Sequence, residues 1–249
     1  MKVAAYQAPL LPAGSMEAMG LIRERVQWCE AEGVRILCCP EAVLGGLADY
    51  AARPAEFAID PEAGQLADVL SPLASDTVTT IIGFTEVHAG RLYNAAAVYR
   101  RGAVIGVYRK LHPAIHTSVY HAGERMPVFT VDGLTFGIVI CNDSNFAAPA
   151  RTLAAQGATA LFIPTNNGLP AEKADVVEDA RRVDAALATA NRTWVIRADV
   201  AGRADGRVSY GSSGIVAPDG RVRQSARRLT EDLLVADMAA TPRDGRHGV

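Results

Sequence analysis

The chain has 249 residues, 49% of them hydrophobic and 21% charged, enough apolar content to bury a large single core. A formal charge of −2 with scattered arginines excludes long-range attraction to nucleic acid or an anionic membrane as its organising principle. No apolar run approaches the roughly 20 residues of a membrane span, and the N-terminal segment lacks a secretory h-region and cleavage site. The four cysteines (Cys29, Cys38, Cys39 and Cys141) include no Cys-x-x-Cys pair, so neither a disulfide framework nor a zinc knuckle is signalled. Reduced thiols in a cytoplasmic protein follow as the expectation.

Strand and helix patterns alternate along the chain. Lys2 to Gln7 reads as a first strand. Ser15 to Gly33 reads as a helix, with Met19, Ile22, Val26 and Cys29 on one face and Gly33 as its stop. Val34 to Cys39 is a buried strand, Pro61 to Ala74 a helix and Thr77 to Gly83 a strand. Leu92 to Tyr99 and Ala103 to Arg109 form strands joined at Arg101-Gly102, and Val128 to Val131 pairs with Leu134 to Ile140 across Asp132-Gly133. Phe146 to Gln156 is a helix, Thr159 to Ile163 a strand and Ala171 to Asn191 a long helix. Thr193 to Ala198, Gly214 to Val216 and Leu233 to Asp237 complete the strands, with a turn at Pro218-Asp219-Gly220. Hairpin pairs among helices predict mixed rather than purely parallel sheets. The expected organisation is one domain over residues 1–240, followed by a polar tail at 241–249.

Three reactive groups stand at or just beyond the ends of strand patterns. Glu41 follows Ile36-Leu37-Cys38-Cys39-Pro40; Cys141 follows Phe136 to Ile140; and Lys110 closes Tyr108-Arg109-Lys110. Lys110 is one of only three lysines in a chain with 22 arginines. Its compact ammonium responds to its surroundings as a guanidinium does not. Cys141 precedes Asn142-Asp143-Ser144-Asn145 and a helix, a strand–turn–helix junction that lifts a nucleophile out of a sheet among backbone N–H groups. The N–H of Asn142 is the candidate oxyanion donor. Glu41 is placed to accept and return a proton, and Lys110 to stabilise negative charge. The plainer readings are a core cysteine, a solvated glutamate and a surface lysine. Cys29, Cys38 and Cys39 lack the junction and read as core.

Together these segments resemble the nitrilase, or carbon–nitrogen hydrolase, superfamily. The resemblance is carried by Cys39-Pro40-Glu41, Tyr108-Arg109-Lys110-Leu111-His112 and Gly137-Ile138-Val139-Ile140-Cys141-Asn142-Asp143. It continues through Arg151 to Leu153, Gly157-Ala158, Ile163-Pro164-Thr165, Trp194 to Asp199, Tyr210-Gly211-Ser212-Ser213 and Pro218-Asp219-Gly220. It implies an α/β fold, a four-layer α-β-β-α sandwich with mixed sheets, and subunits paired through their helices as a homodimer or higher homo-oligomer. It also implies a Glu41–Lys110–Cys141 triad forming an acyl-thioester, with no metal or organic cofactor.

Two departures stand out. Many members carry a second glutamate a few residues before an aromatic-x-x-Gly, here Tyr120-His121-Ala122-Gly123. That position falls at His116 or Thr117, so His116 either substitutes for the acid or is a loop histidine. The family's Phe-Pro-Glu is also altered, to Phe146-Ala147-Ala148. Asn166 and Asn167, after Ile163-Pro164-Thr165, suit hydrogen bonding to a polar substrate or capping of the loop. The expected function is a thiol amidohydrolase acting on a small linear amide or N-carbamoyl compound. Nitrile hydrolysis, acyl transfer from the same thioester to an amine, and a catalytically weak scaffold protein remain as alternatives.

Overall fold

The structure, a computed structural model, describes residues 1–113, 117–171 and 176–238, with backbone alone at 176 and 177. His116 and the tail from residue 241 lie outside the described residues. Two mixed sheets dominate. The first is built on β1 (Lys2–Pro9), β2 (Val34–Cys38), β3 (Thr79–His88), β4 (Arg91–Arg100) and β5 (Ala103–Arg109). The second contains β6 (Val128–Val131), β7 (Leu134–Ile138), β8 (Ala160–Pro164) and β9 (Trp194–Ala198). The remaining strands are β10 (Val200–Ala204), β11 (Arg207–Ser209), β12 (Gly214–Val216), β13 (Val222–Ser225) and β14 (Asp232–Asp237). The first sheet runs β11-β10-β1-β2-β3-β4-β5, with β14 also paired to β1; the second runs β13-β12-β9-β8-β7-β6.

Alternation along the strands builds the layers. On β1, Val3 and Ala5 face one core while Ala4 and Tyr6 face another. Val3, Ile36, Ile81 and Val98 of the first sheet meet Phe136, Ile138, Phe162 and Ile196 of the second, so the sheets are stacked face to face. Phe136 and Phe162 pack edge-on at 5.0 Å within that seam. Outside the first sheet, α1 (Ala18–Glu32) buries Ile22, Val26 and Cys29, and α2 (Gln65–Leu70) buries Leu66 and Leu70. Outside the second, α3 (Ala147–Ala155) contributes Ala150 and Leu153, and α4 (Val176–Asn191) contributes Leu187 and Ala188. The order of layers is therefore α-β-β-α, as expected from sequence.

Boundaries differ where local geometry intervenes. The helix expected from Pro61 begins only at Gln65, because Gly64 sits in the left-handed region at φ 79° and interrupts the first turn. The strand expected to end at Gly83 continues to His88, paired along its length with β4. The strand expected to reach Ile140 stops at Ile138, and the backbone turns out of the sheet before the cysteine. The Arg101-Gly102 and Asp132-Gly133 turns both have positive φ at both positions, the geometry that matches strand twist in two-residue hairpins. β10, β11 and β13 were absent from the sequence reading. β13 is exposed at all four residues and has no apolar face to betray it.

Candidate active site

Five strand ends converge at one edge of the two sheets. Residue 41 follows β2, residue 110 follows β5, residue 141 lies beyond β7, residues 166 and 167 follow β8, and residue 199 follows β9. This is the carboxyl-end placement at which open α/β sheets gather their ligand sites.

Glu41 is 1% exposed, so the plain reading of a solvated carboxylate fails. Its backbone N–H donates to Thr165 O at 3.2 Å, which ties the first sheet to the second. β3 also packs closely on this loop: a Cβ on Gly83 would lie 2.4 Å from both Pro40 O and Ala42 N. The carboxylate accepts three bonds. Lys110 Nζ donates to Oε1 at 2.6 Å, Asn94 Nδ2 donates to Oε1 at 2.7 Å, and Asn166 N donates to Oε2 at 2.9 Å. Asn94 was not singled out from sequence. A polar residue inside the otherwise apolar Leu92 to Tyr99 run was its only signal.

Lys110 is buried at 6% exposure, against the surface reading. Burial works against its charge, but the Glu41 carboxylate, the Cys141 sulfur and the hydrogen bond to Glu41 outweigh it and hold the ammonium pKa above its usual value. Its backbone is fixed on both sides, N–H to Asn94 O at 2.8 Å and O from Gly123 N at 2.8 Å.

Cys141 opens a short 3-10 turn, Cys141–Asn145, with φ at 44°. A left-handed conformation at a non-glycine residue costs energy and is held by its surroundings. Asp143, fully buried, supplies much of that hold: its carboxylate accepts Ile140 N at 3.1 Å, His112 N at 2.7 Å and Tyr108 OH at 2.7 Å. Ser144 Oγ donates to Cys141 O at 2.6 Å and accepts from Arg197 Nη2 at 3.1 Å. Arg197 is in turn locked to Asp184 of α4 by bonds of 2.8 and 2.5 Å. The Cys141 thiol is pushed up to about 12, by burial first and then by the Glu41 charge, with Lys110 and Arg197 opposing. Glu41 and Lys110 are thus in direct contact, and their charges bear on the Cys141 thiol in opposite directions.

The other candidates divide. The Asn142 side chain donates to His112 O and Pro113 O at 3.2 and 3.3 Å, pinning the loop after Lys110 to the cysteine turn. Asn166 is engaged within the chain through three groups: N–H to Glu41 Oε2, Nδ2 to Glu41 O at 3.3 Å, and Oδ1 from Gly168 N at 3.1 Å. It orients Glu41. Asn167 instead presents its Oδ1 at 4.0 Å from Cys141 Sγ. Asp143, Arg197, Asp184, Asp199 and Ser212 entered the sequence reading only as members of longer motifs or not at all. Their roles depend on contacts between distant segments. Cys29, Cys38 and Cys39 are fully buried, as read. Among the described residues no group of three or more His, Cys, Asp or Glu side chains is placed to hold a metal ion, and no helix is long and apolar enough to cross a membrane.

The carbon–nitrogen hydrolase family model matches residues 2–243. The chain belongs to the carbon–nitrogen hydrolase family. It is 29% identical over 196 residues to an (R)-stereoselective amidase of a Pseudomonas species, covering 78% of this chain and 69% of that protein. Among solved structures it superposes on the nitrilase-superfamily amidase of Nesterenkonia sp. AN1 with a TM-score of 0.82 at 22% identity, covering 96% of this chain and 93% of that one. It also matches the glutamine-dependent NAD+ synthetase of Acinetobacter baumannii with a TM-score of 0.80 at 19% identity, covering 94% of this chain but spanning only 44% of that protein. This carbon–nitrogen hydrolase thus has the fold of the nitrilase-superfamily amidases.

Proposed function

We propose that the protein hydrolyses the C–N bond of a small linear amide or N-carbamoyl compound through an acyl-thioester on Cys141. The observation that carries this reading is the buried Glu41–Lys110 pair acting on a thiol held on a strained turn. The high thiol pKa makes a standing thiolate scarce at neutral pH, so attack is coupled to proton removal. Cys141 Sγ adds to the carbonyl carbon as its proton passes to Glu41. The negative oxygen that develops is stabilised by Lys110 and the Asn142 N–H. Collapse breaks the C–N bond, and the proton on Glu41 leaves with the nitrogen as ammonia or an amine. Water then gives a proton to Glu41 and adds to the thioester. The second collapse returns that proton to sulfur and releases the acid.

The acceptor character of the Asn167 Oδ1 supports amide over nitrile as the substrate. The test is a panel of short carboxamides and N-carbamoyl compounds, followed by ammonia release and by intact mass. Wild-type protein is expected to gain one acyl mass that maps to Cys141, and Cys141→Ala to show neither adduct nor turnover. Turnover surviving in Cys141→Ala would refute the thioester.

A further inference from the structure

The hydrogen bonds of Asn167 fix the direction of its side-chain amide. Asn167 follows β8 and is 8% exposed, so solvent does not complete its bonding. One hydrogen of Nδ2 goes to Asp199 Oδ2 at 2.9 Å and the other to Ser212 Oγ at 3.1 Å. Ser212 Oγ is free to accept because its own hydrogen goes to Asp199 Oδ2 at 2.7 Å. The Asp199 carboxylate also takes the N–H groups of Asn167 at 3.0 Å, Val200 at 2.8 Å and Ser212 at 2.9 Å. Turning the Asn167 amide over would set its carbonyl oxygen against Asp199 Oδ2, lone pair to lone pair, and remove one of that buried carboxylate's donors. The amide is therefore locked, with Oδ1 facing the sulfur at 4.0 Å. The thiol is its sole partner among the described residues, and at that length a weak one.

We propose that Asn167 Oδ1 is the acceptor for the N–H of the scissile carboxamide, so that the site selects a carbonyl bearing N–H over an ester or a nitrile. This rests on the hydrolase reading above and adds the group that reads the leaving nitrogen. A substrate carbon about 3–3.5 Å from Sγ, the usual near-attack separation, can have its amide nitrogen within hydrogen-bond range of an oxygen 4.0 Å from that sulfur when it approaches from the Asn167 side. With the carbonyl oxygen directed to Lys110 and the Asn142 N–H, the nitrogen is left for the Asn167 side. An N–H donated to Oδ1 also turns the nitrogen as its lone pair develops, ready for the proton returned by Glu41. An ester oxygen or a nitrile nitrogen offers only lone pairs there, and the buried acceptor loses its partner. Sites built to bond a substrate N–H or O–H reject analogues lacking it far more strongly than apolar pockets reject a methylene. Asp199 and Ser212 are then positioning residues, acting through Asn167.

The test measures kcat/KM for a short primary carboxamide, its methyl ester and the corresponding nitrile, in wild type, Asn167→Ala and Ser212→Ala. Wild type should prefer the amide even though esters are intrinsically easier to cleave. In Asn167→Ala the amide-to-ester ratio should fall by at least about tenfold, with a smaller fall in Ser212→Ala. Equal losses on amide and ester in both variants would mark a merely structural role and overturn the inference. Should Asn167→Ala fail to fold, as judged by circular dichroism and thermal melting, Ser212→Ala decides by the same criterion. Intact mass separates the two levels of the argument. Turnover or acylation of Cys141 with an unchanged ratio sinks only the assignment of Asn167, whereas a wild-type protein that none of the three substrates acylates and that turns none of them over sinks the hydrolase reading and this inference together.

Discussion

Two buried ion pairs lie close to the cysteine turn, and they differ in kind. Arg197 grips Asp184 through two nitrogens at 2.8 and 2.5 Å and also reaches Ser144 and Thr165. Lys110 touches Glu41 through one nitrogen at 2.6 Å, and neutral donors from Asn94 and Asn166 complete the carboxylate. A guanidinium cannot give up its proton in a protein, so the first pair is a fixed bracket joining α4 to the turn. An ammonium and a carboxylate can exchange charge with a reacting group, so the second suits chemistry. The same burial that makes both pairs costly to break thus gives rigidity in one place and, on the proposed function, reactivity in the other.

The sharpest way to break this contrast is Glu41→Gln. Turnover should fall by about 10²–10⁴-fold, as loss of a general base does, while the amide still accepts from Lys110 and the fold survives. Wild-type rates from that variant would remove Glu41 from its assigned role. Asp184→Ala should do the reverse, costing about 3–5 kcal/mol of stability in urea denaturation because Arg197 is left charged and unpaired in the interior. A change of less than about 1 kcal/mol would show that the bracket is not structural.

A third experiment uses the thiols. Alkylation of Cys141 by a neutral reagent should keep accelerating through the alkaline range, since its thiol is pushed up to about 12. A plateau below pH 8 would reveal a thiolate already formed and would reverse the predicted order of proton transfer. A fourth experiment concerns stability against pH. Burial raises the thiol pKa of Cys29, Cys38, Cys39 and Cys141, to about 12 for Cys29, so the folded chain retains protons that the unfolded chain releases. Lys110 has the same sign. Stability is then fully present below the unfolded thiol value near 9 and declines as pH rises above it, by up to about 1.4 kcal/mol per unit for each thiol. Urea midpoints flat from pH 8 to pH 10 would contradict this.

Most of the layer structure was legible because apolar period and strand-end punctuation are local properties. Val34 to Cys39 and Leu134 to Ile140 declared themselves as buried strands, and the reactive residues stand out as polar groups where those runs stop. The β10–β11 hairpin was missed although Asp205-Gly206 marks its turn, with φ of 50° and 72°. Its strands are three to five residues long and carry too little alternation to register.

By itself, then, the sequence determined the sheet-and-helix plan and pointed to Glu41, Lys110 and Cys141 as the candidate reactive groups. Tertiary structure alone decided that Asn94 and Asn166 complete the glutamate, that Asp143 and Arg197 hold the cysteine turn, and which way the Asn167 amide points. The reason is separation. Asn166 bonds a carboxylate 125 positions earlier in the chain, and Asn167 is aligned by a serine 45 positions later. A hydrogen bond needs its donor within a few tenths of an ångström and roughly in line, and only the register of two stacked sheets sets distances that finely.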